Sequence, residues 1–274
     1  MIRVALAQVD SRLGDHEANV ELARRVLAEA RAAGADLIVF PELQLSGYAL
    51  GHTRRETACA VEMLAPLAAE AGDGAVVLGF HERDGERTYN SAAYYERGRL
   101  RHVHRKLYLV QYLGFEEAAH FAPGDELRAF DTAHGRLATL ICNDAWQPVL
   151  PFLAVHDGAR VLLMPSASST AVPEAEPYWR ALTRFYASLL ECYVVFVNRV
   201  GDEAGLTFWG GSHVVDPLGE VVAEAPRLEE ALVHADLDLE RVESRRRELP
   251  LVGDPRFDLL RAELERLAPT RTSA

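Results

Sequence analysis

The chain has 274 residues, 49% hydrophobic and 26% charged, enough to bury a substantial core. Its formal net charge of −12 argues against nucleic acid or an anionic membrane as the main partner, because both need clustered Lys and Arg; the basic run Arg241 to Arg247 is broken by Glu243 and reads as a solvated helix face. Cys59, Cys142 and Cys192 show no CxxC spacing, no apolar run is long enough to span a bilayer, and MIRVALAQVD lacks the apolar core of a signal peptide, so a cytoplasmic protein in a reducing compartment is expected.

Ile2 to Gln8 is a short apolar strand candidate, and Ala18 to Ala33 carries Val20, Ala23, Val26, Leu27 and Ala30 at helical spacing, with Gly34 as its stop. Asp36 to Phe40 is nearly continuously apolar, as for a strand covered on both faces. Pro41 ends it and leaves Glu42 at a carboxyl strand end, where α/β folds place chemistry. Thr57 to Ala71 is expected to be a second amphipathic helix. Ala75 to Glu82 reads as a strand, and Asn90 to Glu96 with Leu100 to His104 as a hairpin around Arg97 to Arg99. His102 and His104 have the His-x-His spacing of metal ligands, but no carboxylate or Cys accompanies them at ligand spacing, and no metal or cofactor is expected. Lys106 follows the hairpin. Tyr108 to Asp125 is aromatic-rich and irregular, the kind of long loop that lines sites.

Leu127 to Phe130 and Leu137 to Cys142 are expected to pair as strands around Gly135. Asn143 and Asp144 then make a turn before a helix at Val149 to Asp157. Arg160 to Met164 is a buried strand, followed by the small polar run Pro165 to Thr170. Tyr178 to Cys192 reads as a helix, Tyr193 to Asn198 as a strand, and the segment through Trp209 as a loop. Gly211 to Asp216 with Val221 to Ala223 forms a hairpin, Leu232 to Leu237 a last strand, and residues 240–274 a charged helical tail whose end, from Pro269, is expected to be mobile. The second half echoes the first, and residues 1–274 read as a single domain.

Cys142 ends a strand at a turn, where freshly unpaired backbone N–H groups flank an exposed thiol. By itself it is more readily a small buried residue closing a core strand. Glu42 and Lys106 share its position type, each directly after a predicted strand. Should those strands neighbour each other, a base, a cation and a nucleophile converge, the parts of an acyl-transfer site.

These three segments, FPELQLSGY, HRKLYL and LICNDAW, resemble the catalytic segments of the nitrilase superfamily, the carbon–nitrogen hydrolases with a Glu-Lys-Cys triad. The likeness runs from Ile2 to about Asp238 and is greatest to the glutamine-amide-hydrolysing portion of glutamine-dependent NAD synthetases. Two features depart from that group. Asn143 stands where an acidic residue usually follows the cysteine, and no ATP-using synthetase segment follows, so a free-standing hydrolase is expected. The resemblance implies a four-layer α-β-β-α sandwich, a homodimer or higher homo-oligomer to which the tail contributes, and cleavage of a small linear carboxamide to carboxylate and ammonia through a thioester. It also implies catalytic roles for Glu42, Lys106 and Cys142. Glu117 is matched to the family's second glutamate through its offset from Phe121-Ala122-Pro123-Gly124, in preference to Glu116. N-carbamoyl hydrolysis and glutaminase-like ammonia supply to a partner remain open. Asn143, Trp146, Tyr48, Tyr112 and Ser166 are the expected substrate-binding residues. Trp179 and Phe208 are further candidates for the pocket wall, Ser168 with Ser166 for contact with a polar substrate end, and Arg199 for pairing with a carboxylate.

Overall fold

In chain order the elements are β1 (Ile2–Gln8), α1 (His16–Ala32), β2 (Leu37–Val39), α2 (Ala65–Ala69), β3 (Ala75–Asp84), β4 (Arg87–Glu96), β5 (Arg99–Arg105), β6 (Phe130–Thr132), β7 (Gly135–Thr139), α3 (Val149–His156), β8 (Val161–Ser166), α4 (Ala175–Leu189), β9 (Tyr193–Asn198), β10 (Val200–Glu203), β11 (Leu206–Trp209), β12 (His213–Val215), β13 (Val221–Glu224), β14 (Ala231–Leu237), α5 (Leu239–Glu248) and α6 (Phe257–Leu267). They come from a computed structural model that describes residues 1–53, 56–253 and 255–268. The expectation for Pro269 onward lies outside the described residues.

Two six-stranded sheets, ordered β14-β1-β2-β3-β4-β5 and β13-β12-β9-β8-β7-β6, are built alike. Each has three parallel strands at its centre (β1, β2, β3 and β7, β8, β9) extended by antiparallel neighbours. The inner faces meet in one core, in which Val4, Leu37 and Val77 of the first sheet join Leu137, Leu163 and Val195 of the second. Because helices cover the outer faces, the central strands are apolar on both sides. Ala23, Leu27 and Ala30 of α1 pack with Ile38 and Val76 outside the first sheet. Ala154 of α3 and Trp179 and Ala187 of α4 pack with Leu162 and Phe196 outside the second. The result is the expected α-β-β-α sandwich. Among the described residues no helix is long and apolar enough to cross a membrane.

Three local expectations are corrected. The helix expected over 57–71 is a short turn, Val61–Leu64, and the five-residue α2. β3 outruns the three-residue β2, and Cys59 fills the vacant ladder: its N–H donates to the His81 carbonyl and its carbonyl accepts from Arg83 N, at 3.0 and 2.8 Å. Satisfying those backbone groups outweighs the local helical pattern. The loop expected through Trp209 is the hairpin β10–β11, whose turn places Ala204 and Gly205 at φ 49° and 84°. The tail is helical but in two pieces, α5 and α6.

Candidate active site

β5 lies two antiparallel steps from β3, so it runs in the direction of β2, and both strands end at the same edge. Glu42 follows β2 and Lys106 follows β5, so their side chains meet there. Lys106 Nζ donates to Glu42 Oε1 and to Glu117 Oε1, both at 2.7 Å, and all three side chains are buried. An ammonium carries three protons, so this pairing leaves Lys106 one further donor.

Each carboxylate is fixed by groups of its own. Asn90 Nδ2 donates to Glu42 Oε1 and the Ala167 amide to Glu42 Oε2, both at 2.7 Å. Tyr48 OH donates to Glu117 Oε1 at 2.7 Å and the Val110 amide to Oε2 at 2.8 Å. The Glu42 loop rests directly on β3. A Cβ at Gly79 would overlap the Pro41 carbonyl oxygen and lie 2.8 Å from Leu43 N, so a glycine is required there.

Cys142 enters this cluster from the second sheet. β7 stops at Thr139, three residues earlier than expected, and residues Cys142–Trp146 form a tight turn. Cys142 itself has φ 44°, a left-handed conformation that costs a non-glycine residue about 1–2 kcal/mol. It is half-buried, not exposed at the sheet edge. Burial pushes its thiol well above the ordinary range. Glu42 adds to that shift, Lys106 opposes it, and the Ala167 amide lowers it further. The sulfur is therefore held in its protonated form, with Glu42 the carboxylate that acts on it most strongly. Burial likewise raises the Glu117 carboxyl, against Lys106. Burial disfavours the Lys106 charge, but Glu117 and Glu42 outweigh it and hold the ammonium well above its usual pKa.

One carboxylate ties the two sheets' contributions together. Asp144 Oδ1 accepts from the Leu107 and Tyr108 amides at 2.9 Å each, and Oδ2 accepts from Ile141 N at 3.1 Å and pairs with His104 Nε2 at 2.9 Å. It thus binds the turn that carries Cys142 to the segment that carries Lys106. The two histidines diverge, because His102 stacks on Phe130 with ring centroids 4.4 Å apart.

A narrow cavity opens on Cys142, and Tyr48, Tyr112, Asn143, Trp146 and Trp179 are among its walls. Tyr112 OH donates to Asn143 Oδ1 at 2.9 Å. Ser166 is placed elsewhere. β8 runs on through it, and its buried hydroxyl donates to the Met164 carbonyl at 3.3 Å; Ala167, Ser168 and Ser169 line the cavity instead. Phe208 sits behind Tyr48, edge to face at 5.9 Å. Arg199 is buried over the Phe208 ring and pairs with Glu203 at 2.8 Å, and Glu203 in turn accepts from Tyr48 N at 2.8 Å. Glu116 is exposed, whereas Glu117 joins the cluster. The sequence alone gives no role to Asn90, Asp144, Glu203 or the Ala167 amide. Their partners are distant in sequence or are backbone groups, which leave no residue-type signal.

Residues 3–247 match the carbon–nitrogen hydrolase family. A glutamine-dependent NAD(+) synthetase of Thermotoga maritima is 34% identical over 249 residues, which cover 87% of this chain but only 42% of that protein. An omega-amidase of Saccharomyces cerevisiae is 31% identical over 277 residues, 94% of each chain. Among solved structures, an amidase from Nesterenkonia sp. AN1 superposes with a TM-score of 0.84 at 27% identity, covering 96% of this chain and 100% of that one. Variants of the Nesterenkonia amidase have been seen in complex with acrylamide and with the acetamide moiety of fluoroacetamide added covalently at the active-site cysteine.

Proposed function

The chain belongs to the carbon–nitrogen hydrolase family, and on that premise we propose that it cleaves a small linear carboxamide to carboxylate and ammonia through a thioester on Cys142. The observation that carries this reading is the buried cluster in which Lys106 bridges Glu42 and Glu117 beside the thiol. Glu42 takes the thiol proton as sulfur attacks the carbonyl carbon. The third Lys106 proton and the Asn143 N–H hold the oxyanion; one such donor is worth about 3 kcal/mol of barrier. Collapse breaks the C–N bond, and Glu42 passes its proton to the departing ammonia. Water then attacks the thioester, giving a proton to Glu42, which returns it to sulfur. Glu117 orients Lys106, with Tyr48 holding Glu117. No step calls on a cofactor or metal.

A panel of carboxamides, ureides and nitriles tests the reading. Ammonia and carboxylate in equal amounts from a carboxamide are expected. Carbon dioxide released with ammonia from a ureide, at a higher rate, transfers the assignment to N-carbamoyl hydrolysis. Ammonia from glutamine only with a synthetase partner present makes the chain an ammonia supplier.

A homodimer is part of the same proposal. Val149 and Leu153 of α3 and Tyr178, Phe185 and Leu189 of α4 expose 44–53% of their surface on one side of the sandwich. α6 buries none of its residues against this chain and exposes Leu260 and Leu264. Faces of this kind support a contact with a second copy. Light scattering is expected to give twice the monomer mass, falling to the monomer in Phe185→Glu. A monomeric wild type contradicts this. A cytoplasmic location is proposed as well, supported by the free state of Cys59, Cys142 and Cys192.

A further inference from the structure

The walls of the cavity on Cys142 carry a second message, about the acyl half of the substrate. Val110, Tyr112, Phe115, Trp146, Val172 and Trp179 line the narrow space on Cys142, and no Asp, Glu, His, Lys or Arg lines it among the described residues. The polar groups that do line it are neutral, and each already holds at least one partner. Ser168 Oγ accepts from the indole N–H groups of Trp179 and Trp209, at 3.1 and 3.3 Å. Asn143 accepts from Tyr112 and donates to the Tyr108 carbonyl at 3.0 Å. Ser169 Oγ accepts from the Ala171 amide at 3.3 Å.

The neighbouring cations are paired too, Arg227 of the adjoining surface cleft with Glu176 at 3.0 Å. Lys106 is held between Glu42 and Glu117. Arg199 pairs with Glu203 and donates to the Ser11 carbonyl at 2.8 Å. Arg180, next to Trp179, pairs with Glu176 and Glu224 at 3.2 and 2.6 Å. A carboxylate or ammonium at the far end of the acyl chain would thus be buried without a counter-charge, which is strongly unfavourable. An aliphatic group of the same shape meets indole, phenyl and isopropyl surface instead.

We propose that the enzyme takes amides of short, uncharged, apolar acyl chains and rejects those whose acyl group bears a charge, glutamine included. This rests on the reading of Cys142 as an amide-cleaving nucleophile and narrows it. The reaction feeding such a site must yield a neutral aliphatic primary amide, as nitrile hydration does, and its product is the corresponding short fatty acid.

Shape-matched pairs test it. Butanamide and 3-aminopropanamide differ by a methyl against an ammonium, and 3-methylbutanamide and malonamate by an isopropyl against a carboxylate. With the full chain at pH 7.5 and ammonia as readout, kcat/KM for each neutral member is expected to exceed its charged match by about 100-fold or more, the discrimination of a site that leaves a buried polar group unpaired. L-glutamine is expected to fall with the charged set. A charged member turned over as well as its neutral match overturns the inference while leaving the hydrolytic reading intact. Ammonia from none of the amides removes the hydrolytic reading, and this inference with it.

Discussion

Replacing Cys142 by alanine is expected to abolish amide turnover, by on the order of 10⁶-fold, the loss seen when the nucleophile of a catalytic unit is removed. Stability should change little, since the substitution removes one atom. The thiol rests protonated because burial and Glu42 push its pKa up against the pull of Lys106. On the proposed route attack depends on Glu42 as base, and Glu42→Gln should lower kcat by about 10²–10⁴-fold. The two variants differ in a second readout. The proposed route calls on Glu42 again to activate water, so Glu42→Gln should retain an acyl group on Cys142 longer than wild type does, visible as added mass. Cys142→Ala should never carry one. A Cys142→Ala protein with more than a few per cent of wild-type activity would sink the thioester route.

How much of this was open to the sequence differs between elements. The central strands could be read because burial on both faces makes them apolar throughout, as in DLIVF and YVVFVN. The positions of Glu42, Lys106 and Cys142 could be read because each strand has a recognisable end: a proline, the close of a hairpin, a polar turn. Elements governed by distant partners could not. Residues 57–60 look helical in isolation, and only the length mismatch between β2 and β3 draws Cys59 into the sheet. Ala204-Gly205 is a weak turn signal, so β10–β11 passed for a loop. Ser166 drew attention as a polar residue after a strand, but β8 is one turn of the pleat longer than its apolar run, and the site uses the next residue's backbone amide instead. Asp144 sits in a recognisable motif, yet three of its four contacts are with the Lys106 segment or its flank, 36 to 40 residues away.

Lys106→Met is expected to cost both the reaction and the fold. Lys106 is buried between two carboxylates at 2.7 Å. Taking one partner from a buried ionic cluster leaves uncompensated charge, at a cost of about 3–5 kcal/mol. The loss should depend on pH in a definite sense. Burial already raises the folded-state pKa of Glu117 above its ordinary 4.5, and Lys106, ahead of the Val110 amide, lowers it; without the lysine it rises further. A carboxyl whose folded pKa is raised binds more protons folded than unfolded. Its stabilising protonation is complete below about 4.5 and is lost as pH climbs through the folded pKa. The variant should therefore fall further below wild type at pH 8 than at pH 5 in denaturant unfolding. An isosteric loss of packing would lower both by the same amount, so equal deficits at the two pH values would refute the charge argument. Turnover should drop by about 10²–10³-fold from loss of the oxyanion donor, and mild acid should restore stability without restoring activity, because protonating Glu117 removes a buried charge but supplies no cation to the reaction.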